Sequence, residues 1–112
     1  MLMGFAFGVN AEVAKPDADG ITRIHEDQFG GYFSADKTLA DLKAGTYEFT
    51  VTNKTHKVVG FQVQNYKTHD QLTLFPLEPG QTKSAKVEVT SDGIRYRCPI
   101  NPTPWYNLDG VK

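Results

Sequence analysis

The sequence predicts an all-β fold, an antiparallel β-sandwich. Three observations support this prediction. Several short segments alternate apolar and polar residues with a period of two, turn-forming residues separate these segments, and no convincing long helix interrupts them. Sheets of this kind bury one face of each strand against a second sheet.

The clearest strands lie in the middle of the chain. In residues 46–52, Tyr47, Phe49 and Val51 alternate with polar side chains. The segment 58–65 repeats this pattern, 72–75 is a short apolar run, and 82–90 has an inward row of small and branched residues. Pro79-Gly80 and the Ser91-Asp92-Gly93 sequence predict turns. The residues expected to face the core are Tyr47, Phe49, Val51, Phe61, Val63, Val87 and Tyr96.

The last well-defined strand carries the only cysteine. Ile94, Tyr96 and Cys98 share one phase of the alternation, while Arg95 and Arg97 share the other. The sulfur of Cys98 is therefore expected to point toward the core at the end of a strand. A lone cysteine there is either a small buried apolar residue or a metal-binding thiolate.

The beginning of the chain is less regular. Residues 1–20 are expected to be a signal remnant or a mobile lead-in, and 21–112 the domain. The first eleven residues are apolar up to Val9 and end in Ala11, which resembles a truncated secretory signal, although an apolar first strand is the alternative. A strand is predicted at 21–25, a turn or bulge at 29–32, and one or two helical turns at 36–44, capped by Asp36.

Composition excludes several functions. With 112 residues the chain suits one domain, and a net charge of -1 argues against a nucleic-acid binder. No apolar run approaches the roughly 20 residues that a membrane-spanning helix needs. No Ser-His-Asp order, phosphate loop or zinc-protease motif is present, so we expect no enzyme.

Three motifs carry a resemblance to the cupredoxins. The segment 44–53 resembles the cupredoxin strand that ends in asparagine, here Asn53. Residues 77–82 resemble the P-G-x-T turn of that family, and 93–99 resemble its G-x-Y-x-x-C strand. The resemblance covers about residues 21–112. It implies a Greek-key sandwich, an exported or periplasmic location, and a type-1 copper site with Cys98 as ligand.

The ligand set that this resemblance implies is incomplete. A blue copper site uses a thiolate, two imidazoles and usually a thioether. Asn101 stands where the shortest family loop would place a histidine, and no histidine or methionine follows Cys98. The strand phase puts Val59 at the place of the first histidine, with His56 as a displaced candidate. Metal ligation is therefore expected from Cys98 and His56 if a metal is bound at all.

A second likeness concerns iron. Cys98, Asn101, Pro102, Leu108 and Gly110 resemble the pattern in the cupredoxin-like domain of periplasmic iron-uptake proteins of the EfeO type. The resemblance implies copper, iron or no metal as the alternatives.

Other clusters are expected to be surface features. The His25-Glu26-Asp27 cluster and the His69-Asp70 pair are interpreted as solvated, because neighbours on a strand point to opposite faces and chelate poorly. Arg95 and Arg97 are expected on an exposed sheet face. Trp105 and Tyr106 are expected to cap the end of the sandwich, with an aromatic docking patch as the alternative.

Two functional hypotheses follow. The first is an accessory protein that handles copper or iron in electron transfer or transport, with a protein partner in that process. The second is a metal-free β-sandwich interaction module in which Cys98 is a core thiol. Fold alone does not choose between them.

Overall fold

The computed structural model describes residues 14–37, 43–100, 102–109 and 111, and these residues contain no helix. They form eight strands, which are β1 (Ile21–Gln28), β2 (Phe33–Ala35), β3 (Gly45–Asn53), β4 (Val59–Asn65), β5 (Gln71–Leu77), β6 (Thr82–Val89), β7 (Ile94–Arg97) and β8 (Tyr106–Leu108).

The strands form two sheets of four. One has the order β2-β1-β3-β6 and the other β5-β4-β7-β8, so the predicted β-sandwich is confirmed. Every pairing between these strands is antiparallel except that of β1 with β3, which run parallel from Ile21 beside Thr46 to Gln28 beside Asn53. A parallel pair needs a crossover connection, and the long stretch between β1 and β3 provides it.

The core lies between the two sheets, and all seven residues predicted to face it are buried. Phe61 is fully buried, and its ring contacts the rings of Phe33, Phe49, Phe75 and Tyr96 at centroid distances of 5.5 to 5.7 Å. Tilted and edge-on contacts of this kind add to the free energy of burial itself. The alternation along β3, β4, β6 and β7 therefore predicts correctly which of their side chains face the core.

Two glycines make tight turns possible. Gly80 follows Pro79 as predicted and has φ of 76° with open space where a side chain would stand. Gly93 has φ of 82°, and a Cβ there would lie 2.4 Å from the carbonyl oxygen of Leu108. Gly93 thus allows β8 to close against the start of β7.

The early part of the chain differs from the prediction in one respect. The first strand continues past His25 to Gln28, because β2 and β3 pair with it along that length. The turn at 29–32 is present, and residues 14–20 turn back so that Pro16 bridges to Thr22.

The predicted signal remnant at 1–11 and most of the predicted helical turns at 36–44 lie outside the described residues. Asp36 accepts a hydrogen bond from the backbone N–H of His25 at 2.9 Å.

No helix in the described ranges is long and apolar enough to cross a membrane.

Candidate functional site

Cys98 lies directly after β7, with its side chain inside the sandwich. Its exposure is 0%, and its sulfur accepts a hydrogen bond from the backbone N–H of Gly60 at 3.4 Å. The inward direction follows from its phase with Ile94 and Tyr96, as the alternation predicted. The sulfur is therefore enclosed beside the start of β4.

The chain after Cys98 folds back onto it. The backbone N–H of Cys98 donates to the hydroxyl of Thr103 at 3.2 Å, and the N–H of Thr103 donates to the Cys98 carbonyl at 3.3 Å. Pro99 and Ile100 stand over Gly60, where a Cβ would lie 3.2 Å from Cδ of Pro99. Asn101 and Gly110, which carry part of the family likeness, lie outside the described residues.

His56 and Val59 take different positions. Val59 begins β4 and is fully buried, whereas His56 is exposed in the connection before it. Asn53 organises this connection. Its side-chain amide donates to the carbonyls of Lys57 (2.8 Å) and Leu77 (3.0 Å), and its oxygen accepts from the N–H and hydroxyl of Thr55. The strand phase that favours Val59 agrees with this arrangement.

The described residues do not fit a type-1 copper centre. No group of three or more His, Cys, Asp or Glu side chains in that part of the chain is placed to hold a metal ion. Such a centre needs two imidazoles beside the thiolate, and no histidine follows Cys98 in the sequence.

The His25-Glu26-Asp27 cluster divides between the two faces of β1. His25 and Asp27 lie on the outer face, where the His25 Nε2 and the Asp27 Oδ1 are 3.1 Å apart. Glu26 is fully buried between the sheets, so its interpretation as a solvated residue is wrong. The alternation along β1 is the reason, since Ile24 and Gln28 share its inward phase and are buried as well.

Burial changes the chemistry of Glu26. Desolvation raises the pKa of its carboxyl group to about 7, the phenol of Tyr96 opposes that rise, and Asp36 and Asp27 add to it. Burial and the neighbouring Glu26 also raise the pKa of the Tyr96 phenol. Sequence reasoning missed this pair; the inward phase shared by Ile24 and Glu26 was the signal that could have found it.

His69 and Asp70 lie in the exposed turn between β4 and β5. The N–H of His69 donates to the carbonyl of Asn65, and the carbonyl of Asp70 accepts from the N–H of Asn65. The solvated interpretation of this pair is confirmed.

Arg95, Arg97 and Trp105 form a cluster on the outer face of the second sheet, here called the Arg–Trp cluster. The guanidinium carbons of Arg95 and Arg97 lie 3.9 Å and 4.4 Å from the ring centroid of Trp105. All three side chains are half-buried. The arginines face outward as predicted, and the Trp105 ring lies against both guanidinium groups.

Tyr106 turns the other way, into the aromatic core. Its ring stacks on Tyr96 at 5.0 Å, and its hydroxyl accepts a hydrogen bond from the backbone N–H of Phe33 at 2.9 Å. Since Phe33 belongs to the first sheet and Tyr106 to the second, this hydrogen bond joins the two sheets.

An apolar groove of about 250 Å³ lies on the same sheet, beside the loop that follows Cys98. Ile100 is 52% exposed and Leu74 is 49% exposed. The residues that line this groove, here called the Ile100 groove, are Leu74, Phe75, Pro76, Pro99 and Ile100.

No protein-family model and no curated protein sequence matches the chain. The resemblance to the cupredoxins therefore rests on the residues and their order alone.

Proposed function

We propose that this protein is a non-enzymatic β-sandwich module that binds a partner protein through the outer face of the β5-β4-β7-β8 sheet. The Ile100 groove carries the proposal, because two of the side chains that line it, Leu74 and Ile100, are large, apolar and about half exposed. Contiguous exposed apolar surface marks interaction sites in soluble proteins. Because both side chains are already about half buried, covering the remainder of Leu74 and Ile100 would contribute roughly 1 kcal/mol each to binding.

Packing and hydrogen bonds fix the position of the loop that lines the groove. Gly60 lies beneath Pro99 and Ile100, and a Cβ there would also lie 3.4 Å from the carbonyl oxygen of Phe75. The closing hydrogen bonds between Cys98 and Thr103 hold the loop in this position. We propose that a segment of a partner protein occupies the groove. Arg95, Arg97 and Trp105 lie on the same face of the sheet, and arginine and tryptophan are enriched at protein interfaces.

Photo-crosslinking tests this proposal. A photoreactive amino acid in place of Ile100 should give one discrete adduct in the producing cells, and the adduct should disappear when Leu74→Ser is added. The same photoreactive residue in place of Lys86, which is exposed on β6 of the other sheet, is the matched control. Adducts of equal yield at both positions, or none at Ile100, would contradict the proposal. Leu74→Ser should lower the free energy of unfolding by only about 1 kcal/mol, because half of this side chain is already exposed.

A second candidate function is an exported or periplasmic accessory protein that handles copper or iron. The hydrogen bond from the Gly60 N–H to the Cys98 sulfur favours it, because hydrogen bonds to the cysteine sulfur are a feature of copper–thiolate sites. His56 or residues of a partner would supply the further ligands. Metal content of the wild type and of Cys98→Ser, measured after titration with copper(I) and with iron(II), decides this candidate. Metal bound equally by both proteins, or by neither, removes Cys98 from any metal function.

A further inference from the structure

The Arg–Trp cluster holds two positive charges close together. Among the described residues, Arg95 and Arg97 form no ion pair, whereas Arg23 on the other sheet contacts Asp17, Asp19 and Glu48. Burying a charge in part without a partner of opposite sign costs free energy. A counter-charge from outside would therefore be favourable at this place.

Neutral amides fix the geometry of the two guanidinium groups. The side-chain oxygen of Gln64 accepts from Nε and Nη2 of Arg95, at 2.9 and 2.7 Å. That of Gln62 accepts from Nε of Arg97 at 3.1 Å. Stacking on Trp105 restrains both side chains further. Because each guanidinium has five N–H donors, several remain for an anion, and little side-chain entropy is lost when one binds.

The position of the cluster indicates what kind of anion would bind. Arg97 lies opposite Gln62 on β4, and Gln62 lies opposite Leu74 on β5. Adjacent strands are about 4.8 Å apart, so the Ile100 groove begins roughly 10 Å from Arg97. A ligand that covers both features carries negative charge and an apolar side chain within one short segment. A net charge of -1 for the whole protein gives no long-range attraction for a phosphate polymer.

We infer that Arg95, Arg97 and Trp105 form a recognition site for an acidic segment of the partner protein, whose carboxylates bind the two guanidinium groups while a neighbouring apolar side chain enters the Ile100 groove. This inference rests on the proposed function and specifies the chemistry of its partner. Trp and Arg are the residue types most enriched among side chains that dominate binding energy.

Tryptophan fluorescence provides a direct test, since Trp105 is the only tryptophan in the chain. The probe is a synthetic peptide, acetylated and amidated, of repeated Glu-Glu-Leu, and its counterpart of repeated Gln-Gln-Leu is the uncharged control. The acidic peptide should change the emission of Trp105 saturably and bind more weakly as the salt concentration rises. The uncharged peptide should bind at least about fivefold more weakly.

Variants separate this inference from the proposed function. Measured by calorimetry, Arg95→Gln and Arg97→Gln should each weaken binding of the acidic peptide at least about fivefold, while Lys86→Gln, which removes the same charge from the other sheet, should change it less than about twofold. Arg97→Lys keeps the charge but loses the planar stacking on Trp105. Its affinity for the acidic peptide should lie between those of Arg97→Gln and Lys86→Gln.

Four results would overturn the inference. These are no binding of the acidic peptide, equal binding of the two peptides, equal effects of Arg97→Gln and Lys86→Gln, or tighter binding of single-stranded DNA or inorganic phosphate than of the acidic peptide.

If Leu74→Ser weakens binding and Arg97→Gln does not, the groove remains a docking site and only the acidic specificity is refuted. If Arg97→Gln alone weakens binding, the specificity stands and the groove is removed from the proposed function.

Discussion

The carboxyl group of Glu26 lies fully buried beside the phenol of Tyr96, between the two sheets. Neither carboxyl oxygen makes a hydrogen bond of ordinary geometry with the described residues, although the phenol is close enough to act on its charge. A buried ionised carboxylate in this position costs free energy, so the neutral form is favoured in the folded protein. Stability therefore depends on the protonation of Glu26.

The first prediction follows from that dependence. Folding raises the pKa of Glu26 from 4.5 to about 7. The stability that protonated Glu26 contributes to the folded protein is therefore present in full below about pH 4.5 and is lost as the pH rises through about 7. We expect the free energy of unfolding of the wild type to fall by about 3 kcal/mol relative to Glu26→Gln between pH 4.5 and 8. Urea titrations of both proteins across this range provide the measurement.

The comparison with Glu26→Gln isolates this one group, because both proteins keep Asp27, Asp36, Tyr96 and all other titratable side chains. Glutamine has the same shape and cannot ionise. Parallel stability profiles for the two proteins would show that Glu26 does not titrate in this range, and would refute the prediction.

The second prediction concerns Asn53, whose buried side chain makes four hydrogen bonds to Thr55, Lys57 and Leu77. Asn53→Ala should lower the free energy of unfolding by about 2–4 kcal/mol, because the buried carbonyl of Leu77 loses this donor and the connection at Thr55 and Lys57 loses its hydrogen bonds to the side chain. Denaturant unfolding measures the change. Asn107→Ala, at an exposed position on β8, is the control and should stay within about 0.5 kcal/mol of the wild type. Equal effects at both positions would contradict this account.

The third prediction compares two glycines. Gly93→Ala should destabilise the protein by about 3 kcal/mol or more, since a Cβ would meet the carbonyl of Leu108 in addition to the strain of positive φ. Gly80→Ala carries the strain without the contact and should cost about 1–2 kcal/mol. Thermal unfolding of the two variants gives the difference. If Gly80→Ala proves as costly as Gly93→Ala, the close approach of β8 is not the cause.

The fourth prediction concerns the packing of Cys98. Cys98→Ala should cost about 1–2 kcal/mol through lost contacts in a fully buried position, while the fold remains intact. Cys98→Ser should cost about 1–3 kcal/mol, because the hydroxyl lies in a largely apolar environment. Unfolding in the absence of added metal measures both effects. A wild type no more stable than either variant would show that the thiol does not contribute to the core.

Much of the fold was predictable because alternation is a local property. Tyr47, Phe49 and Val51, and likewise Val59, Phe61 and Val63, face the core as their period of two indicates. The direction of the Cys98 side chain follows from the same rule. The sequence also predicted the turns at Pro79-Gly80 and near Gly93, since glycine tolerates the positive φ that these turns require.

The candidate binding surface depended on contacts between distant parts of the chain. The inward phase of Glu26 can be read from β1, but its burial beside Tyr96 depends on the second sheet, which covers that face of β1. Trp105 meets Arg95 and Arg97 because β8 returns beside β7, and Ile100 lines the same groove as Leu74 because the loop after Cys98 packs over Gly60. Alternation determines which face of a strand a side chain occupies, whereas strand order and register determine its neighbours, and those are decided only when the two sheets assemble.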